Sequence, residues 1–299
     1  MLEFNGERFV PGHAECVREI WLEHWHRYAF ATLFSQDKVV LDVACGEGYG
    51  SALLSRNAAS VTAVDLSAET IAHAQSRYGS LQKLQLLQAD ATSISLPDKS
   101  IDLAVSFETI EHIEDQSGFL VEMDRLLKDD GLLVISSPDK AVYSDAHEHD
   151  NPFHTHEMYR EEFEAFLKTR FSAVQMFEQA LLFQSVIWRQ PDQTMAKAQA
   201  TTQHLKNWQL EQGLDYPAPY VLAVCARSQQ HLPSELLDLH CFGDAEQSYQ
   251  QHYNEAVGEL IQFQKWGQTV NQQLQQNQAL IEQLQLENQQ LKEHLKQID

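Results

Sequence analysis

Three glycines at alternate positions, Gly46, Gly48 and Gly50, fall between an apolar run, Val39-Val40-Leu41-Asp42-Val43, and a helix-like run that opens at Ser51-Ala52-Leu53-Leu54. The pattern specifies a strand, a tight turn and a helix N-terminus. Glycine at such a turn tolerates positive φ and lets a ligand approach main-chain N–H groups. A phosphate-binding P-loop needs Lys and then Ser or Thr after its last glycine, and this chain reads Tyr49-Gly50-Ser51 there. A different ligand is required.

Downstream, apolar runs alternate with helix-length segments. Strands are expected at Ser60–Val64, Leu84–Ala89, Ile101–Ser106, Gly131–Ser136, Ala173–Phe177 and Tyr220–Ala226, and helices at 68–78, 116–128 and 157–169. This alternation implies an α/β fold with a doubly wound, seven-stranded sheet. In such sheets ligands bind at the carboxyl ends of the strands, where Asp65, Asp90, Phe107-Glu108 and Ser137-Pro138 fall. Residues 181–216 lack a clear period and read as an insertion or lid between the last two strands. The expected organisation is a helical cap over 1–34, the α/β domain over 35–230, a linker over 231–249 and a separate helix over 250–299.

That last segment differs in kind: residues 250–299 hold 15 Gln and no Pro. A disordered polar tail is the simple reading of that composition. A heptad frame nevertheless runs through it unbroken, with Tyr253, Leu260, Gly267, Leu274, Ile281, Asn288 and Leu295 at a, and Ala256, Phe263, Val270, Asn277, Leu284, Leu291 and Ile298 at d. The frame predicts a coiled coil about 70 Å long that makes a homo-oligomer, with dimer favoured over trimer because Asn288 occupies an a position.

Charge limits the choice of partner. Forty-three acidic against 21 basic residues give −22, and no basic cluster supplies the footprint of a nucleic-acid binder. Cys16, Cys45, Cys225 and Cys241 are scattered without CxxC spacing, which fits a reducing compartment. MLEFNGERFVPG lacks the features of a secretory leader and no apolar run reaches 18 residues, so a cytoplasmic location is expected, with any membrane contact peripheral, at the inner face.

A glycine turn with Asp65 closing the second strand and Asp90 the third suits a nucleoside cofactor whose ribose and base each meet an acid. The stretch Asp42-Val43-Ala44-Cys45-Gly46-Glu47-Gly48-Tyr49-Gly50 matches D-x-x-C/G-G-x-G-x-G. Over about residues 35–180 the chain resembles class I S-adenosylmethionine-dependent methyltransferases. The resemblance implies a Rossmann-like methyltransferase fold and S-adenosylmethionine as cofactor, bound by Asp42, Ala44, Gly46, Gly48, Asp65, Leu66, Asp90, Ala91 and Phe107. Within that set Asp65 is the implied ribose ligand, Asp90 with Ala91 the adenine contact, and Phe107 the neighbour of the methionine moiety. A dinucleotide-binding reading shares the first turn and the ribose acid but has no use for Asp90 or for the 107–112 stretch.

The stretches ERFVPG, EHWHRYAFA, SFETIEHIED and NPFHTHEMYREEFEAFL are similar to bacterial methyltransferases of surface-glycan assembly, of the O-antigen or capsule type. This implies O-methylation of a sugar on a glycan or lipid-linked saccharide, at the chain end, with the coiled coil dimerising the enzyme or docking it to a glycan-assembly partner. A small-molecule O- or N-methyltransferase and a non-catalytic cofactor-binding adaptor are the alternatives. A sugar hydroxyl is a poor nucleophile at neutral pH, and His112 with Glu111 is the candidate base. Glu108, His154 and His156 are candidate acceptor ligands. The E-x-x-E-H run Glu108–His112 also resembles the metal site of small-RNA 2′-O-methyltransferases, so a divalent metal held with His154 or His156 is the less favoured expectation. His147, His149, His154 and His156 lie too loosely, with no cysteine, for structural zinc. Near the N-terminus Trp21 and Trp25 read as packing residues of a helix, with Arg27 and Tyr28 placed to close over a cofactor.

Overall fold

The computed structural model describes residues 18–147, 151–182, 201–204, 209–214, 216–243 and 248–295. The stretch ERFVPG, residues 148–150 with His149 among them, most of the 181–216 insertion, and Ile298 lie outside the described residues. The chain forms two compact units, residues 1–243 and 244–299.

In the first unit α1 (Arg18–Ala31) precedes β1 (Val39–Val43), α2 (Tyr49–Leu54), β2 (Ser60–Asp65), α3 (Ala68–Tyr78), β3 (Leu84–Gln88), β4 (Ile101–Ser106), α4 (Gln116–Leu126) and β5 (Leu127–Pro138). After these come α5 (Lys140–Tyr143), α6 (Arg160–Leu167), β6 (Ala173–Gln179), a small antiparallel pair β7 (Thr201–His204) and β8 (Gln209–Gln212), and β9 (Tyr220–Ala226). The sheet order is β3-β2-β1-β4-β5-β9-β6. Strands β1 to β5 pair in parallel, while β9 runs antiparallel between β5 and β6. This is the expected doubly wound seven-stranded sheet, with the sequence-final strand inserted next to last.

Alternation within the strands sorts the core into two layers. Val40, Val61, Ala63, Leu103, Val105, Leu222 and Val224 face α1, α2 and α3, whereas Leu41, Val43, Ala104, Leu133, Ile135 and Ala223 face α4 and α6. Helix boundaries shift from expectation where capping decides them. Helix α2 begins at Tyr49, directly after Gly48 in left-handed conformation, and α4 stops at Leu126 because Leu127 turns extended and pairs with Ile101. The residues read as the first part of a linker pack on α1 instead: Leu232 is buried, His240 Nδ1 lies 3.0 Å from His26 Nε2, and Phe242 meets Trp21.

The second unit holds one uninterrupted helix, α7 (Ser248–Leu295). Within it Leu260, Phe263, Val270, Leu274, Ile281, Leu284 and Leu291 of the a/d frame are exposed. Local bonds such as Gln283 Nε2 to Glu287 Oε1 at 3.0 Å span i to i+4. Among the described residues no helix is long and apolar enough to cross a membrane.

Candidate active site at the carboxyl edge of the sheet

The glycine turn is built on positive φ at Ala44 (59°), Gly46 (53°) and Gly48 (81°). A Cβ on Gly48 would lie 3.2 Å from Ala74 Cβ as well, so the turn seats directly on α3. Glu47, buried in the turn, completes that seat through Arg77 Nη1 at 3.0 Å and His73 Nε2 at 3.1 Å. These two contacts link residues 26 and 30 positions apart, a separation that no local sequence pattern marks.

Asp65 at the end of β2 accepts from Gly46 N–H on one oxygen (3.1 Å) and from Ser67 N–H on the other (2.9 Å). It therefore fixes the turn while keeping further acceptor lone pairs. Leu66 beside it is 69% exposed, an apolar face at the mouth of the turn. Asp90 is exposed after β3, with Oδ1 accepting from Thr92 N–H (2.8 Å) and Thr92 Oγ1 (2.7 Å), bonds that hold its pKa below the usual value. Ala91 packs partly buried against the α4-side core.

Two residues of the implied cofactor set sit deeper than the resemblance suggests. Asp42 is fully buried under the turn, accepting from Ser51 Oγ at 2.5 Å and from Tyr28 Oη at 3.2 and 3.3 Å. Burial raises its pKa to about 7 despite those two donors. Phe107 is buried edge-on against the Tyr28 ring at 5.1 Å. Tyr28 lies across Gly50, so closely that a Cβ there would stand 2.1 Å from its Cζ. Tyr28 is thus a fixed brace of the turn, and α1 packs as a structural cap.

On the β4 side the residues diverge. Glu108, at φ 49°, donates its N–H to Ser136 Oγ (3.1 Å) and receives Ser136 Oγ–H on Oε1 (2.6 Å). It thereby turns toward Ser136 and Arg27. Glu111, His112 and His154 come together instead: among the described residues these three offer ligand atoms within 4.8 Å of one another. Within the Glu108–His112 run, the acid that joins the two imidazoles is therefore Glu111. His156 sits apart, Nδ1 3.2 Å from Gln116 Oε1.

The His112 tautomer follows from its partners. Nδ1 lies 2.9 Å from the Phe153 carbonyl, which can only accept, so Nδ1 carries the proton and Nε2 the lone pair of the neutral ring. Nε2 faces Glu111 Oε1 at 3.9 Å. The carbonyl is held in turn, since Phe153 N–H donates to Asn151 Oδ1 (3.0 Å). That leaves Asn151 Nδ2 to donate to His154 Nε2 at 3.0 Å, and His154 Nδ1–H to Glu157. Ser144 Oγ closes the chain on Glu157 Oε2 at 2.5 Å. His154 to Glu157 is an i, i+3 step that sequence spacing could have flagged; Ser144 and Asn151 carried no local signal.

Comparison with known proteins agrees with this geometry. Residues 41–135 match a family model described as a methyltransferase domain. A probable S-adenosylmethionine-dependent methyltransferase of Mycobacterium tuberculosis (strain H37Rv) is 35% identical over 170 residues, 56% of this chain and 60% of that protein. A counterpart in Mycolicibacterium smegmatis is 33% identical over 171 residues, 56% of this chain and 64% of its own length. The matched part of the chain thus spans under two thirds of these curated relatives. Among solved structures, the Bacillus subtilis protein YcgJ superposes with a TM-score of 0.50 at 16% identity, covering 69% of this chain and 99% of that one, a likeness of fold.

Proposed function

Given a domain of the S-adenosylmethionine-dependent methyltransferase type over residues 41–135, we propose that the chain methylates a sugar hydroxyl of a bacterial surface glycan of the O-antigen or capsule type. The observation that carries the reading is Asp65 tied to the Gly46 and Ser67 amides beside exposed Leu66, with the His112 group at the next strand ends.

S-adenosylmethionine supplies an activated methyl group on a sulfonium, and this site meets its needs. Asp65 offers lone pairs to a ribose diol, Leu66 an apolar face to the base, and the turn its main-chain N–H groups. His112 Nε2 would take the proton from the acceptor hydroxyl as its oxygen receives the methyl group that S-adenosylmethionine would supply, a contribution of about 10²–10⁴-fold. The glycan acceptor is supported by the four stretches similar to surface-glycan methyltransferases, and His154, whose ring lies 4.9 Å from that of His112, is the candidate acceptor ligand nearest the base. Such an enzyme works at the cytoplasmic face of the membrane. Residues 250–299 dimerise it as a parallel coiled coil, supported by the exposed a/d positions of α7, or dock it to a glycan-assembly protein.

A second reading, a divalent cation at Glu111, His112 and His154, rests on their 4.8 Å grouping and a donor set of one carboxylate and two imidazoles, and requires Asn151 Nδ2 to release His154 Nε2. The test is transfer of radiolabel from S-adenosylmethionine to the lipid-linked glycan fraction of the source cells, with and without chelator. Label in glycan supports the acceptor, and chelator sensitivity supports the cation. Label absent from glycan but found in small molecules moves the activity to the small-molecule alternative. No label anywhere, with the cofactor bound, leaves the adaptor.

A further inference from the structure

The guanidinium of Arg27 is the least satisfied polar group in the described core. Arg27 is 1% exposed, yet neither Nη1 nor Nη2 has a hydrogen-bond partner. Glu108 and Glu23 balance its charge without hydrogen-bonding either amino group. Nε donates to Gln179 Oε1 at 2.8 Å, Cζ stands 4.3 Å over the Tyr220 ring, and Glu108 Oε1 approaches Nη2 only to 3.7 Å, too far to bond. A buried cation with two unbonded amino groups is held for something that brings two acceptor oxygens, because Arg presents a fork matched to carboxylate and phosphate.

Its place in the sheet narrows which molecule brings them. Gln179 ends β6, Tyr220 pairs with Pro138 at the end of β5, and Glu108 follows β4 directly after Phe107, the implied neighbour of the methionine moiety. The guanidinium therefore lies over the β4-β5-β9-β6 half of the carboxyl edge, beyond the glycine turn, Asp65 and Asp90 of β1, β2 and β3, and the cofactor's own carboxylate is the competing oxyanion that the experiment must separate. Arg27 also lines a cavity of about 740 Å³ whose wall holds Gln179, Arg160, Glu178 and Asp238 but neither Glu108 nor Tyr220.

We propose, building on the methyltransferase reading, that Arg27 binds an acidic group of the acceptor, a carboxylate or a phosphate, and thereby selects acidic saccharides. Gln179 and Tyr220 aim the guanidinium, and Ser136 holds Glu108 back from bonding it. Neutral sugars lack the oxyanion that the unbonded N–H groups require.

The experiment uses the full chain, with D-glucuronate and inorganic phosphate as probes and D-glucose as the neutral control, read by thermal stabilisation and titration with and without S-adenosylhomocysteine. Expected is binding of one or both anions and not of glucose, with the responding probe identifying carboxylate or phosphate. Arg27→Gln should weaken that binding by at least about tenfold, the scale of a lost charge-assisted hydrogen bond, while S-adenosylhomocysteine affinity stays within about twofold. Arg27→Lys, which keeps the charge without the fork, serves if the Gln variant fails to fold and should also lose affinity. The proposal is overturned if the wild type binds no anion, or if the folded variants bind anions unchanged. It is equally overturned if Arg27→Gln loses S-adenosylhomocysteine but keeps 5′-methylthioadenosine, since the acid held is then the cofactor's own. Failure of the wild type to bind either nucleoside would instead strike the methyltransferase reading.

Discussion

Gly50→Ala tests how the cap and the glycine turn are joined. In an unencumbered helix this change is stabilising by up to about 1 kcal/mol. Here the new Cβ would stand 2.1 Å from Tyr28 Cζ and 2.2 Å from its Cε1, against an ordinary carbon contact of about 3.5–4.0 Å. The ring must retreat, which breaks its bonds to Asp42 at 3.2 and 3.3 Å and opens its edge contacts with Tyr49 and Phe107. Full loss of a buried aromatic side chain costs about 3–5 kcal/mol; less the helix gain, Gly50→Ala should destabilise by about 2–4 kcal/mol. In a Tyr28→Ala background the obstacle is gone, and Gly50→Ala should be neutral or slightly stabilising. The assay is a double-mutant cycle by urea denaturation and thermal melting, where about 2–4 °C accompany each kcal/mol in a domain of this size. An equal cost in both backgrounds would refute the placement of the ring on Gly50.

Other perturbations address the chemistry and the assembly. His112→Ala should lower methyl transfer by about 10²–10⁴-fold while S-adenosylhomocysteine binding is kept; unchanged turnover removes His112 as the base. Asp65→Asn keeps one acceptor oxygen but sets its Nδ2 donor against the Gly46 or the Ser67 N–H, so S-adenosylhomocysteine affinity should fall by about tenfold or more in calorimetry. Asp42 has a pKa of about 7 folded against 3.8 as the ordinary value. Between those values the folded state holds a proton that the unfolded state has released, so the wild type gains stability relative to Asp42→Asn as pH falls from about 7 toward 4, by up to about 4 kcal/mol, and the difference is flat above pH 7. Parallel stability curves for the two proteins would contradict that. Truncation after residue 243 should give a monomer by light scattering, and an oligomer that persists would move the interface off α7.

The sheet was legible because its signals are local. Val39–Val43 and Ile101–Ser106 are apolar runs whose length and bounding residues need no partner to be read, and the turn's glycines advertise positive φ that other side chains resist. Asp65 and Asp90 were found by the same logic, as polar residues where strands end. The contacts of Asp42, Phe107 and Glu108 were hidden. Asp42 meets Ser51 and Tyr28, Phe107 meets Tyr28, and Glu108 meets Ser136 and Arg27, partners from nine to 81 residues away. The Glu111-His112-His154 group was half visible, since its first two members are neighbours in sequence while the third arrives through Thr155 and His156 N–H bonds to the Glu111 carbonyl.

Residue period and backbone preference within a few turns of chain account for the alternation of strands and helices, the glycine turn, the acids at the strand ends and the heptad pattern of residues 250–299. Long-range packing sets the rest: β9 enters the sheet antiparallel between β5 and β6, Tyr28 braces Gly50 from α1, Phe153 fixes which nitrogen of His112 holds the lone pair, and Arg27 is buried with its amino groups unbonded. Those outcomes depend on side chains far apart in sequence competing for the same buried space and the same hydrogen bonds, a contest that no local pattern records.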